Sequence, residues 1–277
     1  MSFHDRFINI GQPERIWTIS APNGQLPRLT AVHRAIYDRF QPGDRIVYTG
    51  NYLCGKDASP LATLDEILHF GSCLTKMDGV QHCDITFLRG IQEELFEKLL
   101  HLQFAQNPPQ IVEWMQRHYP EMDSLLVSYG STLADTARIA REGILSMTRW
   151  SNALKARLRE HAGHDEFFMS LKRAAFTECK DANSNDNNLL FVHAGINPKL
   201  PLMSQGDSFW WSSKNFNDIE TPYAPFRTVI RGHDPHGKGV HVGQSTISLD
   251  GGCGKTGGRL ILAELSGTGQ VLNLIAA

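Results

Sequence analysis

Val47-Tyr48-Thr49-Gly50-Asn51-Tyr52-Leu53-Cys54-Gly55-Lys56-Asp57-Ala58-Ser59 is the stretch that decides the fold. A β-branched and aromatic run stops at a glycine, an amide side chain follows, and the chain turns. In an α/β protein a strand reaches the functional edge of its sheet in this way. Four further stretches share the form: Trp17–Gly24 (WTISAPNG), Ile85–Glu93 (ITFLRGIQE), Leu189–Gly195 (LLFVHAG) and Thr228–Pro235 (TVIRGHDP). Together they predict one pocket built from five loops.

Working outward, Arg15 to Ser20 reads as the first strand, after an irregular lead-in over residues 1–15. Leu29, Val32, His33, Ile36 and Tyr37 stand at helical spacing and predict a helix from about Leu26 to Phe40. Arg45 to Thr49 is the second strand. Ser59 and Pro60 then start a helix that runs to about Thr75, with Ser59 as its cap. Ile85 to Arg89 is the third strand. This β-α-β-α-β order requires a sheet that is at least partly parallel and covered by helices. From Glu93 to about Glu178 the pattern is helical, with amphipathic segments at Glu94–Phe104, Pro109–His118, Leu133–Arg141 and Ser151–His161. Asp181–Asn188 is a polar turn cluster. The rest is β-rich: Leu189–His193, Thr228–Gly232, Gln244–Asp250, Arg259–Leu265 and Gln270–Ile275. The expected organisation is one domain over residues 1–277, with 94–178 as a helical cap inserted between sheet strands.

Bulk properties exclude several classes. The 277 residues are 41% hydrophobic and 20% charged, with a formal net charge of −2, so charge gives no reason to expect nucleic acid or an anionic membrane as partner. No run of 18 apolar residues occurs, and the first residues lack the apolar core of a signal peptide. The five cysteines, Cys54, Cys73, Cys83, Cys179 and Cys253, are widely spaced and form no CxxC pair. That pattern fits reduced thiols and a cytoplasmic location better than a disulfide frame or structural zinc.

The order of loops resembles the calcineurin-like metallophosphoesterases, in particular the bacterial serine/threonine phosphoprotein phosphatases and the diadenosine tetraphosphatases. The residues that carry the resemblance are Gly24, Gly50, Leu88-Arg89-Gly90, Glu93, Tyr129-Gly130, Val192-His193-Ala194-Gly195, Pro198, Gly232-His233 and Leu249-Asp250-Gly251-Gly252. It spans roughly residues 15–275. It implies an αββα sandwich of mixed sheets, an α/β (α+β) fold with a helical cap, and a two-metal phosphatase site. In such a site, ions about 3.5–4 Å apart clamp the phosphoryl oxygens and generate hydroxide.

The ligand positions do not follow. Where the family places the Asp and His of GDxHG, this chain has Ala21 and Asn23, with Ser20 for the first Gly. The bridging Asp of GDxxDR falls on Asn51, its second Asp on Cys54, and its phosphate-binding Arg on Gly55. The Asn and general-acid His of GNHE fall on Ile91 and Gln92, and a later family Arg falls on Ser213. Only His193 and His233 survive as ligand types. Each lost charged ligand costs several kcal/mol, and together the losses exceed metal-binding energies of roughly 10–16 kcal/mol. Losing the acid at Gln92 alone costs about 10²–10⁴ in rate. The sequence therefore predicts no metal cofactor, no catalytic residue, and a pseudophosphatase that binds an unidentified protein or phospho-ligand. The alternative is a hydrolase with one Mn or Zn ion on His193 and His233, aided by Asn51 or Asp250. A metal-free site using the backbone amides of Gly24, Gly50 and Gly90 is a third option.

Other features have plainer readings. His233, His236 and His241 with Asp234 and Asp250 read as a polar hairpin before a metal site. Gly251–Thr256 (GGCGKT) lacks the first glycine and the following helix of a phosphate loop. Cys54 has no sequence-evident activating partner and reads as a silent replacement, while Trp210 and Trp211 read as packing.

Overall fold

A computed structural model describes residues 6–178, 188–212 and 216–277. Its elements run β1 (Phe7–Asn9), β2 (Arg15–Ile19), α1 (Leu26–Tyr37), β3 (Arg45–Tyr48), α2 (Pro60–Leu74) and β4 (Ile85–Phe87). Helices follow: α3 (Ile91–Leu100), α4 (Pro108–His118), α5 (Met122–Ser128), α6 (Leu133–Glu142), α7 (Ile144–Glu160) and α8 (His164–Ser170). The chain returns through β5 (Ala174–Phe176), β6 (Leu189–Val192), α9 (Ser208–Trp211), β7 (Thr228–Arg231), β8 (His241–Val242), β9 (Thr246–Ser248), β10 (Ile261–Ser266) and β11 (Val271–Ala276).

The strands make two mixed sheets, in the orders β11-β10-β2-β3-β4 and β1-β5-β6-β7-β9-β8. β2, β3 and β4 are parallel, as the β-α-β-α-β pattern requires, and so are β6, β7 and β9. Alternation within the strands explains the sandwich. Ile16, Val47, Ala263 and Leu265 of one sheet share a core with Leu189, Phe191, Ile230 and Ile247 of the other. The intervening residues Trp17, Ile19, Ile46 and Tyr48 face outward onto Leu29, Val32 and Ile36 of α1 and Leu64 and Ile67 of α2. Both faces are thus covered, which is why RIWTI, RIVY and LLFV read as near-continuous apolar runs. The expected αββα architecture of mixed sheets is present.

Several boundaries differ from expectation. The lead-in contains β1, paired in parallel with β5, and neither three-residue strand carries a pattern long enough to read. The short helices α5 and α8 were likewise not expected, and α7 starts at Ile144, not Ser151. The Ser59 side chain makes no cap bond, although Pro60 does open α2. Asn107 and Thr132 do cap their helices, accepting from Gln110 N and Asp135 N. The helix expected from Glu94 begins at Ile91, so Gln92 lies in its first turn. Within residues 94–178 the helices end at Ser170, and Ala174–Phe176 already belongs to a sheet. Cys179, Ser213 and all but the last residue of the turn cluster 181–188 lie outside the described residues.

Candidate functional site

The parallel strands deliver their loops to one place, because β2, β3 and β4 of one sheet and β6 and β7 of the other end together. A cavity of about 460 Å³ there is lined by Asn23, Asn51, Cys54, Gly55, Ile91, Gln92 and His233, among others. Four of the five predicted loops therefore contribute side chains to one cavity. The fifth supplies His193, wholly buried, whose ring stacks on that of His233 with centroids 5.0 Å apart and planes 17° apart. Ala21 is buried two residues before Asn23 of the cavity wall, and its methyl side chain offers no polar atom.

The residues at the positions where the resemblance implies ligands are linked by hydrogen bonds. Gln92 Nε2 donates to Asn23 Oδ1 (2.9 Å) and to Cys54 O (2.7 Å), while Gln92 Oε1 accepts from Cys54 N (2.9 Å). The Gln92 backbone N–H, exposed by the first turn of α3, donates to Asn51 Oδ1 (3.1 Å). Asn23 Nδ2 in turn donates to Cys253 O (2.9 Å). One neutral amide network thus closes the floor of the cavity, and Gln92 is its hub. Around Asn23 the fit is tight: a Cβ at Gly55 would stand 2.4 Å from Asn23 O, and one at Gly254 would stand 2.9 Å from Asn23 Cβ. An arginine at 55 cannot enter this arrangement unless the Asn23 loop moves.

The loops are held from behind by Glu93. Its buried carboxylate accepts from the backbone N–H groups of Gly90, Asn51 and Tyr52, each at 2.9 Å. Burial pushes the Glu93 carboxyl upward, and the three N–H donors oppose that rise. Gly50 and Gly90 let the two loops touch. A Cβ at Gly50 would lie 2.5 Å from Gly90 N, and one at Gly90 would lie 2.3 Å from Asn51 N. The amides of Gly24 and Gly90, expected as ligand donors, are already bonded to Tyr52 O and Glu93 Oε2. All three glycines also allow close loop contact, since a Cβ at Gly24 would lie 2.4 Å from Ala58 Cβ.

The histidines and acids behave as parts of the framework. His193 Nδ1 bonds Thr49 O at 2.7 Å, so this nitrogen carries the proton and the ring is neutral. Burial, with His233 adding repulsion, brings its pKa down to about 3. Its Nε2 is buried with no hydrogen-bond partner. His233 Nδ1 lies 3.4 Å from Asp250 Oδ2. Burial alone would raise Asp250, but His233 and the N–H groups of Asp234 and Gly252 outweigh it and hold the carboxylate below its ordinary value. Asp234 receives the N–H groups of His236 and Lys238 and pairs with Arg231 at 2.9 Å. The predicted hairpin cluster is therefore a capped turn, with both carboxylates engaged. Among the described residues no group of three or more His, Cys, Asp or Glu side chains converges as a metal site. A buried neutral His193, a His233 already beside Asp250, and an Asn51 amide oxygen bonded to a helix N–H do not fit a two-metal centre. Cys54 is fully buried and 3.7 Å from Met122 Sδ; burial, reinforced by Glu93 and Glu121, pushes its thiol well up, so it is no thiolate nucleophile.

No sequence pattern announces the other wall. Tyr119, Pro120 and Glu121, from the turn between α4 and α5, close over the cavity, and Lys56 and Lys255 add two ammonium groups. Glu121 is the one carboxylate among these lining residues, and burial pushes it up. Behind Tyr119 stand Trp211 and Trp114, at centroid distances of 6.0 and 5.3 Å. Trp211 is thus a partly exposed ring packed on Tyr119 and Trp114, while Trp210 is buried with its Nε1 on Arg89 O.

The chain aligns in structure with a candidate diadenosine tetraphosphatase at 16% identity and a TM-score of 0.51, over 99% of this chain and 97% of the other. The fold is that of the metallophosphoesterases. A serine/threonine phosphatase from Saccharomyces cerevisiae, with similarity to human phosphatase PP5, matches at 14% identity and a TM-score of 0.47, over 98% of this chain and 82% of that one. No family model and no curated protein sequence matches the chain. In this chain the five loops stand at one edge of the sandwich, and that edge carries the Gln92 network. No described helix is long and apolar enough to cross a membrane.

Proposed function

We propose that this chain is a pseudophosphatase, a metallophosphoesterase fold that binds a protein or a phospho-ligand without hydrolysing it and works without a metal cofactor in the cytoplasm. The observation that supports this reading is the Gln92 amide network. An ion entering the floor must break bonds among Gln92, Asn23, Asn51 and Cys54, and it gains only neutral amide oxygens in return. Nothing anionic among these groups offsets paired divalent charge. With Gly55 in place of the guanidinium fork, the bidentate grip on phosphate is also missing.

One observation favours a second reading, a hydrolase with one metal. His193 holds its Nδ1 on a backbone carbonyl and leaves Nε2 buried without a partner, which is the tautomer a ligating imidazole adopts. Elemental analysis of protein purified with Mn²⁺ and Zn²⁺ decides between the two, run beside hydrolysis assays on aryl phosphates, phosphopeptides and dinucleoside polyphosphates. The expected result is far less than one equivalent of metal and no turnover. One tightly held equivalent that disappears in His193→Ala, with turnover to match, overturns the pseudophosphatase reading.

A further inference from the structure

Away from the loop cluster, a second cavity lies between α3, α7 and α8. A chamber of about 340 Å³ is walled by Phe96, Leu100, Leu158, Phe168, Met169 and Leu171. It adjoins a groove of about 510 Å³ with which it shares Arg89 and Met169. The groove is basic in a chain whose net charge is −2: it is lined by Arg6, Arg89, Lys98, Lys172 and Arg173 against Glu94 and Glu97. Those two carboxylates are already used, since Arg89 pairs with both and Lys98 with Glu94. Arg6 and Arg173 make no ion pair among the described residues, and Arg6 Nε is buried without a hydrogen-bond partner. Arg173 rests on the Trp210 ring at 5.2 Å, which fixes the guanidinium in place. Burial, with repulsion from Arg6 and Arg89, brings Arg173 below its ordinary value against the opposing pull of Glu94 and Asp207. Three guanidinium groups thus stand beside the apolar chamber, in a groove lined by five cations against two carboxylates. At this size and polarity the pair of cavities falls in the range of small-molecule sites.

We propose that this cleft binds an amphipathic organic anion, with its apolar body in the chamber and its anionic head among Arg6, Arg89 and Arg173. Charge selects the head, and the chamber volume limits the body to one short acyl chain or a small ring system. Carboxylate and phosphate heads share the chemistry of guanidinium recognition. The site is separate from the Gln92 network and does not depend on the pseudophosphatase reading.

The test is a fluorescence titration of the full chain with 1-anilinonaphthalene-8-sulfonate, displaced by decanoate, octyl phosphate or 1-decanol. Saturable one-to-one binding is expected, with decanoate or octyl phosphate displacing the dye at least about tenfold better than the uncharged alcohol, the factor for one good charged contact. Whichever anion displaces better identifies the head. Arg6→Gln should weaken the anions about fivefold to tenfold and leave decanol unchanged. Met169 is 70% exposed, so Met169→Glu should leave the melting curve unchanged while weakening every anion by about tenfold or more. Dye binding that does not saturate, or anion affinities equal in wild type, Arg6→Gln and Met169→Glu, would overturn the proposal.

Discussion

The roots and the tips of the five loops have different fates in this chain. At the roots, Gly50 touches Gly90, Glu93 gathers three backbone N–H groups, and His193 holds Thr49 O. These contacts are made by backbone atoms or by groups that bond backbone, and they fix where the loops sit. At the tips, the side chains that face the cavity are those of Asn23, Asn51, Cys54 and Gln92, all uncharged; the Gln92 amide bonds the Asn23 side chain and the Cys54 backbone, and the Asn51 side chain accepts from the Gln92 N–H. Loop position and loop chemistry therefore reside in different atoms. A chain can keep the first under the demand of folding while the second changes freely, provided the new side chains satisfy each other's hydrogen bonds.

The roots should be the sensitive part. Gly90→Ala is expected to have the largest effect: its Cβ would lie 2.3 Å from Asn51 N and 2.5 Å from Asn51 Oδ1, and neither can withdraw without separating β3 from its loop. A loss of more than about 4 kcal/mol in urea unfolding, or failure to fold, is expected. If Gly90→Ala costs less than about 1 kcal/mol, the loops are not in contact and the comparison between root and tip fails. Next comes Glu93→Ala, which strips the acceptor from three buried N–H groups at once. Each such group costs about 1–3 kcal/mol when left unmade, and entering water recovers part of it, so a loss of about 3 kcal/mol is expected. Glu93→Gln, which keeps one acceptor oxygen, should lose less; equal losses for the two would mean that the charge, not the acceptors, holds the loops.

This division explains what the residues reveal by themselves. Runs such as LLFV and TVIR are buried on both faces, and glycines at forced contacts allow no substitute, so sheet strands and loop positions are written plainly in the sequence. The two-sheet sandwich and the five converging loops follow from them. β1 and β5 are not readable because each has three residues and gains its identity only from the other, 167 positions away (174 − 7). That Ala21 and Gly55 carry no donor side chain is readable from residue types. The way Gln92 reaches Asn23 is not, because that bond joins residues 69 positions apart and depends on α3 starting at Ile91. Nor does any pattern announce that Tyr119 and Glu121 roof the cavity, because the turn between α4 and α5 takes its place from helix packing alone.

The third prediction asks how much the roots contribute when no atom is removed. His193 is neutral and buried, with its pKa brought down to about 3, whereas in the unfolded chain a histidine titrates near 6.5. Between these values the unfolded state binds the additional proton. The contribution of His193 is therefore complete above about pH 6.5 and is lost as pH falls towards 3. His33 and His164 are also lowered by burial and act in the same direction. From pH 7 to pH 5 the loss assigned to His193 is about 2 kcal/mol, read from urea unfolding with EDTA present to strip any adventitious ion. His193→Asn should be less stable at pH 7 and show a shallower fall, because the side chain that charges on unfolding is gone. Parallel pH profiles for the two proteins would mean that His193 titrates in the folded state, and it would then belong with the adaptable tips of the loops, not with their fixed roots.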